Sequence, residues 1–145
     1  MMRAMAIAIV AVFLACDVAT SARAEVARGV RITVAGDSLA LGVGASDSSR
    51  GFAFDLFRRV RETRPGSEVT NLAIGGATAN DVARLELDRI AATRPDIIIL
   101  EVGANDLVRR HAAAAFDADY RRLVRGVRRV APRARIVLFN VPDIA

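Results

Sequence analysis

Four short apolar runs recur along this chain, and a segment with helical periodicity separates each run from the next. The clearest run, Ile97-Ile98-Ile99-Leu100 followed by Val102, is continuously apolar, as expected of a strand covered on both faces. Related runs lie at residues 30–35, 69–72 and 136–139, the last with Val141 beyond it. Strands that alternate with helices form parallel sheets with right-handed crossovers, so the order β-α-β-α-β-α-β predicts an α/β fold with helices on both faces.

Three segments between these runs place apolar residues three or four positions apart, and each ends at a proline. They are centred on Phe54–Val60, Ala83–Ala91 and Phe116–Val130, and the prolines are Pro65, Pro95 and Pro132. The fourth run lies close to the end of the 145 residues. We expect a last strand and helix to be missing from this chain, and the uncovered edge strand to expose apolar surface and favour aggregation.

The N-terminus has the pattern of a secretory signal peptide. Arg3 precedes an uncharged apolar run at residues 4–15, and the small-residue site Ala22-Arg23-Ala24 follows it. The pattern predicts cleavage after Ala24, export to the periplasm or the medium, and one domain over residues 25–145. Cys16 ends the apolar run, so a lipoprotein anchored at this residue stays an alternative. Because it is the single cysteine, no intramolecular disulfide can form.

The chain is basic, with 21 arginines, no lysine and a net charge of +5. Nine of these arginines crowd two predicted helices, at residues 58–64 and 121–129. The polar side of these helices lacks the interleaved aromatic residues that bind nucleic acid by stacking, which favours a solvated helix face over a nucleic-acid partner. Weak attraction to an anionic membrane or wall surface stays open. The sequence does not indicate the oligomeric state. The one histidine and the scattered acids predict no metal site.

Three polar blocks follow the first three predicted strands, at the sheet edge where open parallel sheets bind ligands. They are Gly36-Asp37-Ser38-Leu39, the segment from Asn71 to Gly76, and Gly103-Ala104-Asn105-Asp106. A serine, a bare backbone N–H at a glycine and a side-chain amide are the groups that acyl transfer requires. Each block alone is more often a helix cap or a turn, so the argument depends on their order and common edge.

With these blocks the chain resembles the SGNH, or GDSL, hydrolase superfamily of esterases and lipases, whose fold is a flavodoxin-like three-layer α/β/α sandwich. The resemblance covers about residues 30–145. It implies that Ser38 is the nucleophile, that Gly76 supplies an oxyanion N–H, and that Asn105 supplies an oxyanion amide. The supporting residues would be Asp37, Gly75, Gly103 and Asp106, of which the two aspartates would hold their loops.

The family's last block, Asp-x-x-His, supplies the acid–base pair, and this chain does not contain it. Asp143 follows the fourth run with no histidine beyond it, and His111 lies shortly after Asn105. The usual interpretation of His111 is a surface histidine near the start of a helix; a substitute base is the alternative. Without a base a serine hydroxyl is a poor nucleophile, so we expect the acid–base pair to lie beyond Ala145.

The resemblance therefore implies a serine ester hydrolase, of lipase, lysophospholipase or thioesterase type, that acts through an acyl-serine intermediate without a cofactor. Its partner would be a small-molecule or lipid ester. The alternative is a non-catalytic module that binds acyl or glycan ligands. A third hypothesis, a domain that binds a nucleotide or phosphate, depends on Gly42-Val43-Gly44 alone, and a lone Gly-x-Gly is weak evidence.

Overall fold

The computed structural model describes residues 29–47 and 50–139. The predicted signal peptide at residues 1–24, Cys16 and Asp143 lie outside these residues, so the expectations for them stay predictions. Across the described part of the chain, none of the helices combines the length and the apolar character that crossing a bilayer requires.

Four parallel strands form one sheet, which confirms the predicted α/β class. They are β1 (Arg31–Gly36), β2 (Glu68–Asn71), β3 (Ile97–Glu101) and β4 (Arg135–Leu138). The spatial order is β2-β1-β3-β4, and Val34 of β1 is in register with Asn71 on one side and Ile99 on the other. The bounds differ from the predicted runs by a few residues at the ends, where sequence patterns are least informative.

Helices cover both faces of the sheet. On one face lies α1 (Phe52–Thr63); on the other lie α2 (Ala79–Leu85), α3 (Leu87–Thr93) and α5 (Ala113–Val130). A five-residue helix, α4 (Ala104–Val108), follows β3, where the sequence predicted only a turn. The larger core is built mostly from alanine, valine, leucine and isoleucine, and its buried centre includes Val82, Ile90, Ile98, Leu100, Leu123 and Val127.

The single helix predicted around residues 83–91 is in fact two helices that meet at Glu86. This residue is fully buried, and its φ of −109° departs from helical geometry. Its carboxyl group accepts a hydrogen bond from the Gly36 N–H at 3.3 Å, so the chain bends where a polar side chain reaches the sheet instead of solvent. The helical spacing of core-facing residues continues through the bend, because Val82, Glu86 and Ile90 are all buried.

The order of the strands creates a crevice at their carboxyl ends. The neighbours β1 and β3 lead away in opposite directions, β1 through α1 to β2 and β3 through α5 to β4. Loops that diverge in this way leave space for a ligand. The two strands approach closely beneath that space, because a Cβ on Gly36 would lie 1.8 Å from the Glu101 carbonyl oxygen.

Candidate active site

Ser38 lies in the first turn after β1, on a loop that its neighbours hold rigidly. The Asp37 N–H donates to the Glu101 carbonyl at 3.1 Å, which continues the β1–β3 pairing by one residue. The Asp37 carboxylate is fully buried and accepts from the Leu39 N–H at 3.0 Å. This bond closes an Asx turn that has Ser38 at its centre. The Ser38 carbonyl accepts a hydrogen bond from the Val43 N–H at 2.9 Å. The serine itself stays partly exposed at the crevice.

The second block is tied to the first by Asn71, a residue whose side chain the sequence analysis did not single out. Its amide donates to the Ala40 carbonyl at 2.7 Å, and its oxygen accepts from the Ala73 N–H at 3.1 Å. Asparagine at the end of a strand commonly bonds to backbone two residues on, and that signal was available in the sequence. Asn71 thus connects the loop after β2 to the loop that carries Ser38.

Gly76 occupies a left-handed backbone conformation with φ of +77°, which glycine adopts at little cost. Its carbonyl accepts from Arg109 Nη2 at 2.9 Å, so a side chain from the loop after α4 fixes this peptide. Gly75, the residue before it, is exposed and has no positive φ. Of the two adjacent glycines, only Gly76 therefore requires glycine for backbone reasons.

The Asn105 amide nitrogen joins all three blocks. It donates to the Asp37 carboxylate at 3.3 Å and to the Ala77 carbonyl at 3.0 Å. Since a side-chain amide has two N–H groups, both are engaged in this structure. The longer bond, to Asp37, is the weaker of the two by geometry. The structure thus brings the Asn105 amide to the loop of Ser38 and to the loop of Gly76; the catalytic roles of these three residues stay predictions.

Asp106 is buried and organises the next part of the edge. One carboxylate oxygen accepts from the Ala79 N–H at 3.0 Å at the start of α2, beside the capping box that Thr78 forms with Asp81. The other lies 3.1 Å from His111 Nδ1. His111, the single histidine of the sequence, is therefore held by Asp106, and its side chain is 38% exposed.

Two buried acids under the site were not predicted. Glu86 bonds to Gly36 through one oxygen, and burial raises the pKa of Glu86 to about 8. Glu101 ends β3 beneath the Ser38 loop; burial, and then the charge of Asp37, raise the pKa of Glu101 above its usual range. Both Glu101 oxygens and the second Glu86 oxygen have no hydrogen-bond partner among the described residues. A glutamate at a core position of a helix or strand is the sequence signal for such a group.

A cavity of about 240 Å³ opens beside the third block. Its wall is mostly apolar, from Leu107, Ala113 and Phe116, and its polar part comes from Asp106 and His111. Gly103, two residues before Asn105, borders it. An apolar cavity with a few polar groups at one end is the usual form of a site for a small organic ligand.

Comparison with known families gives one extensive match. The model of the GDSL-like lipase/acylhydrolase family matches residues 34–145, which include all three blocks. No curated protein sequence matches the chain significantly.

Several solved structures share this fold. TesA superposes with a TM-score of 0.68 at 25% identity, over 77% of this chain and 60% of its own. AlinE4, an esterase of the SGNH-hydrolase family, superposes with a TM-score of 0.66 at 22% identity, over 79% of this chain and 61% of its own. A two-domain esterase active on acetylated mannans gives a TM-score of 0.64 at 27% identity, over 82% of this chain and 32% of its own. The chain thus spans less than two thirds of these proteins.

Proposed function

Because the chain belongs to the GDSL-like lipase/acylhydrolase family, we propose that it carries the nucleophile and the oxyanion hole of a serine ester hydrolase. The supporting observation is the Asn105 amide, which bonds to the loop of Ser38 and to the loop of Gly76 at once. In this position the Asn105 amide and backbone N–H groups of the two neighbouring loops can donate to one oxygen of a substrate.

In this proposal Ser38 Oγ attacks the carbonyl carbon of a carboxylic ester, and its proton passes to a base. The negative charge that develops on the carbonyl oxygen is stabilised by the N–H groups of Ser38 and Gly76 and by the Asn105 amide. The alcohol then leaves with a proton, and the acyl group stays on Ser38. Water activated by the same base attacks the acyl-serine, releases the carboxylic acid and restores the serine.

Asn105 has to exchange one hydrogen bond when substrate enters, because both of its N–H groups are engaged. The bond to Asp37 is the longer one, at 3.3 Å against 3.0 Å to Ala77, so it is the one we expect the oxyanion to replace. Asp37 keeps its bond from the Leu39 N–H and so holds the loop throughout. Catalytic hydrogen bonds are often loose in the absence of ligand and tighten in the transition state.

The acyl part of the substrate is proposed to occupy the cavity beside Gly103. Its volume, about 240 Å³, lies below the range of sites that enclose drug-sized ligands, and its walls are mainly apolar. A short acyl chain matches both properties better than a long one. The proposed substrate class is therefore a short-chain acyl ester.

The base and its orienting acid are proposed to come from an Asp-x-x-His block outside these 145 residues. The chain spans about 60% of TesA, which is consistent with a longer protein. Export, with the signal peptide at residues 1–24, is part of the same proposal and follows from the sequence pattern alone.

Hydrolysis of p-nitrophenyl acetate by the product of the complete reading frame tests the proposal. We expect turnover that Ser38→Ala lowers at least about 1,000-fold. Ser46→Ala is the matched control, because Ser46 is an exposed serine of the same loop region, and it should leave turnover unchanged. Turnover that persists in Ser38→Ala would contradict the assignment.

The alternative is a module that binds an acyl or glycan ligand without turnover, which would retain the three blocks without the Asp-x-x-His pair that the sequence as given does not contain. The two functions differ in one measurement. The module would bind a non-hydrolysable ester analogue and would show no ester hydrolysis that depends on Ser38. The hydrolase would lose its ester hydrolysis in Ser38→Ala.

A further inference from the structure

The edge of the sheet opposite Ser38 is strongly basic. Two adjoining concavities there, of about 360 and 520 Å³, share Asp96 and Arg133 in their walls. Five arginines line them against the single carboxylate of Asp96. We call these arginines the basic edge; they are Arg31, Arg64, Arg94, Arg133 and Arg135.

Asp96 organises this edge by backbone contacts and does not neutralise it. It accepts from the Arg31 N–H at 2.9 Å, and its own N–H donates to the Arg31 carbonyl at 2.8 Å. Its carbonyl accepts from the Arg135 N–H at 2.9 Å. One ion pair, Arg31 Nε to Asp96 at 3.6 Å, joins side chains that are 42% and 35% exposed. Glu68, which begins β2 in register with Arg31, is a second carboxylate at this edge. Two carboxylates cannot balance five guanidinium groups, so the basic edge keeps an excess of positive charge.

Helix dipoles account for only part of this charge. Arg64 and Arg94 follow the last turns of α1 and α3, where a cation interacts favourably with the carbonyl end of a helix. Arg31 and Arg135 begin strands, and Arg133 lies in the loop between α5 and β4, so none of these three is in the last turn of a helix. Arg94 also has a φ of +48°, a conformation that glycine adopts more easily. The concentration of arginines therefore exceeds what capping of the helices requires.

We propose that the basic edge binds the phosphate headgroups of anionic phospholipids at a membrane surface. Arginine presents several donors to phosphate oxygens, and several arginines on one face sum their attraction to a negative surface. The walls of the two concavities contain no aromatic residue, so the stacking that single-stranded nucleic acid uses is absent from this part of the described structure.

Every parallel strand begins at the basic edge, and Gly29, the first described residue, lies two residues before β1. Since β1 rises by roughly 3.3 Å per residue, Ser38 lies about 20 Å away at the other edge. A protein docked in this way presents its crevice to the aqueous side.

Vesicle binding tests the proposal without reference to ester hydrolysis. The protein is produced from the full 145-residue sequence in a bacterial host, so that any processing of the N-terminal segment is the cell's own. Binding to phosphatidylglycerol-containing vesicles is measured by flotation against vesicles of phosphatidylcholine alone. We expect tighter binding to the anionic vesicles, and this preference should disappear as salt rises from about 0.1 M to about 1 M.

Two double variants locate the surface. Arg133→Gln with Arg135→Gln removes two exposed arginines of the basic edge. Each arginine lost should weaken binding to the anionic vesicles about fivefold, so we expect the pair to weaken it roughly 25-fold. Arg58→Gln with Arg121→Gln removes the same charge from exposed helix faces and should cost less than about threefold. Arg133→Lys with Arg135→Lys keeps the charge and should keep most of the binding to anionic vesicles. This lysine variant still tests the proposal if the glutamine variant does not fold.

Four results would overturn the proposal. They are equal binding to both kinds of vesicle, no binding to the anionic vesicles at about 0.1 M salt, equal losses in the two glutamine pairs, or loss of binding in the lysine pair while circular dichroism shows a folded protein. Tighter binding of duplex DNA than of anionic vesicles at the same salt would replace the lipid with nucleic acid as the partner.

Discussion

The Asn105 amide lies 3.3 Å from the Asp37 carboxylate and so joins the loop after β3 to the loop after β1 across the centre of the sheet. Both loops leave strands that are direct neighbours, yet the chain departs from them in opposite directions. This contact therefore links the two halves of the crevice, which carry the residues predicted to be catalytic.

Removing the Asp37 carboxylate should destabilise the protein strongly. In Asp37→Ala the partly buried Leu39 N–H and one Asn105 N–H lose their acceptor, and we expect a loss of about 2–4 kcal/mol in the free energy of unfolding. Urea denaturation followed by circular dichroism measures it. Asp55→Ala, which removes an exposed carboxylate paired with Arg58, should cost less than about 1 kcal/mol. Equal losses in the two variants would show that Asp37 does not hold the loops.

The two adjacent glycines should respond differently to alanine. At Gly76 the φ of +77° makes a side chain unfavourable, and Gly76→Ala should cost about 1–2 kcal/mol. At Gly75 a Cβ would meet only Leu41 Cδ1 at an ordinary 3.7 Å, so Gly75→Ala should be nearly neutral. Thermal unfolding of the two variants under one set of conditions gives the comparison. A Gly75→Ala variant as unstable as Gly76→Ala would contradict the backbone argument.

The buried Glu86 should make stability depend on pH. Its pKa is about 8 in the folded protein and 4.5 in an unfolded chain. Between these two pH values the folded state therefore keeps a proton on Glu86 that the unfolded state has lost. The stabilisation is complete below about pH 4.5 and is lost as the pH rises to about 8. Glu86→Gln should remove this part of the pH dependence, which amounts to at most about 5 kcal/mol.

Unfolding midpoints measured across that range, for the wild type and for Glu86→Gln, test the sign. Glu62→Gln is the control, since the Glu62 side chain is 62% exposed on α1 and should leave the pH profile unchanged. A wild-type protein whose stability rises between pH 4.5 and 8 in a way that depends on Glu86 would be the opposite of the expected result.

Asn105 should contribute to turnover. Loss of one oxyanion donor typically lowers kcat by about 100- to 1,000-fold, and we expect Asn105→Ala to fall in this range in the complete hydrolase. Asn80→Ala is the control, because the Asn80 oxygen accepts from Arg122 on the surface. Steady-state kinetics should show the change in kcat and a smaller one in KM. An unchanged kcat would remove Asn105 from the proposed oxyanion hole.

Much of the fold was predictable because the pattern of each element is local. The continuous run Ile97-Ile98-Ile99-Leu100 predicted a central strand, and β3 lies between two neighbours with Ile98 and Leu100 buried. The break between α2 and α3 was not predictable, because it depends on a contact of Glu86 with Gly36 that is 50 residues distant in sequence. The helix α4 was missed because five residues are too few for a periodic signal.

The same distinction holds at the site. Ser38, Gly76 and Asn105 follow strand ends, so a parallel sheet places them at one edge, and the sequence predicted this much. The links between the loops could not be predicted, since Asn71 reaches Ala40 and Arg109 reaches Gly76 only through the tertiary structure. The pairing of His111 with Asp106 could not be predicted either, because their separation in sequence does not show that the two side chains meet.

Identification of the residue that an alkyl phosphonate modifies tests the central claim most directly. Peptide mass spectrometry of the complete reading-frame product after such treatment should find one adduct, on Ser38, that is absent from Ser38→Ala and retained in Ser46→Ala. An adduct on another residue, or one that persists in Ser38→Ala, would contradict Ser38 as the nucleophile.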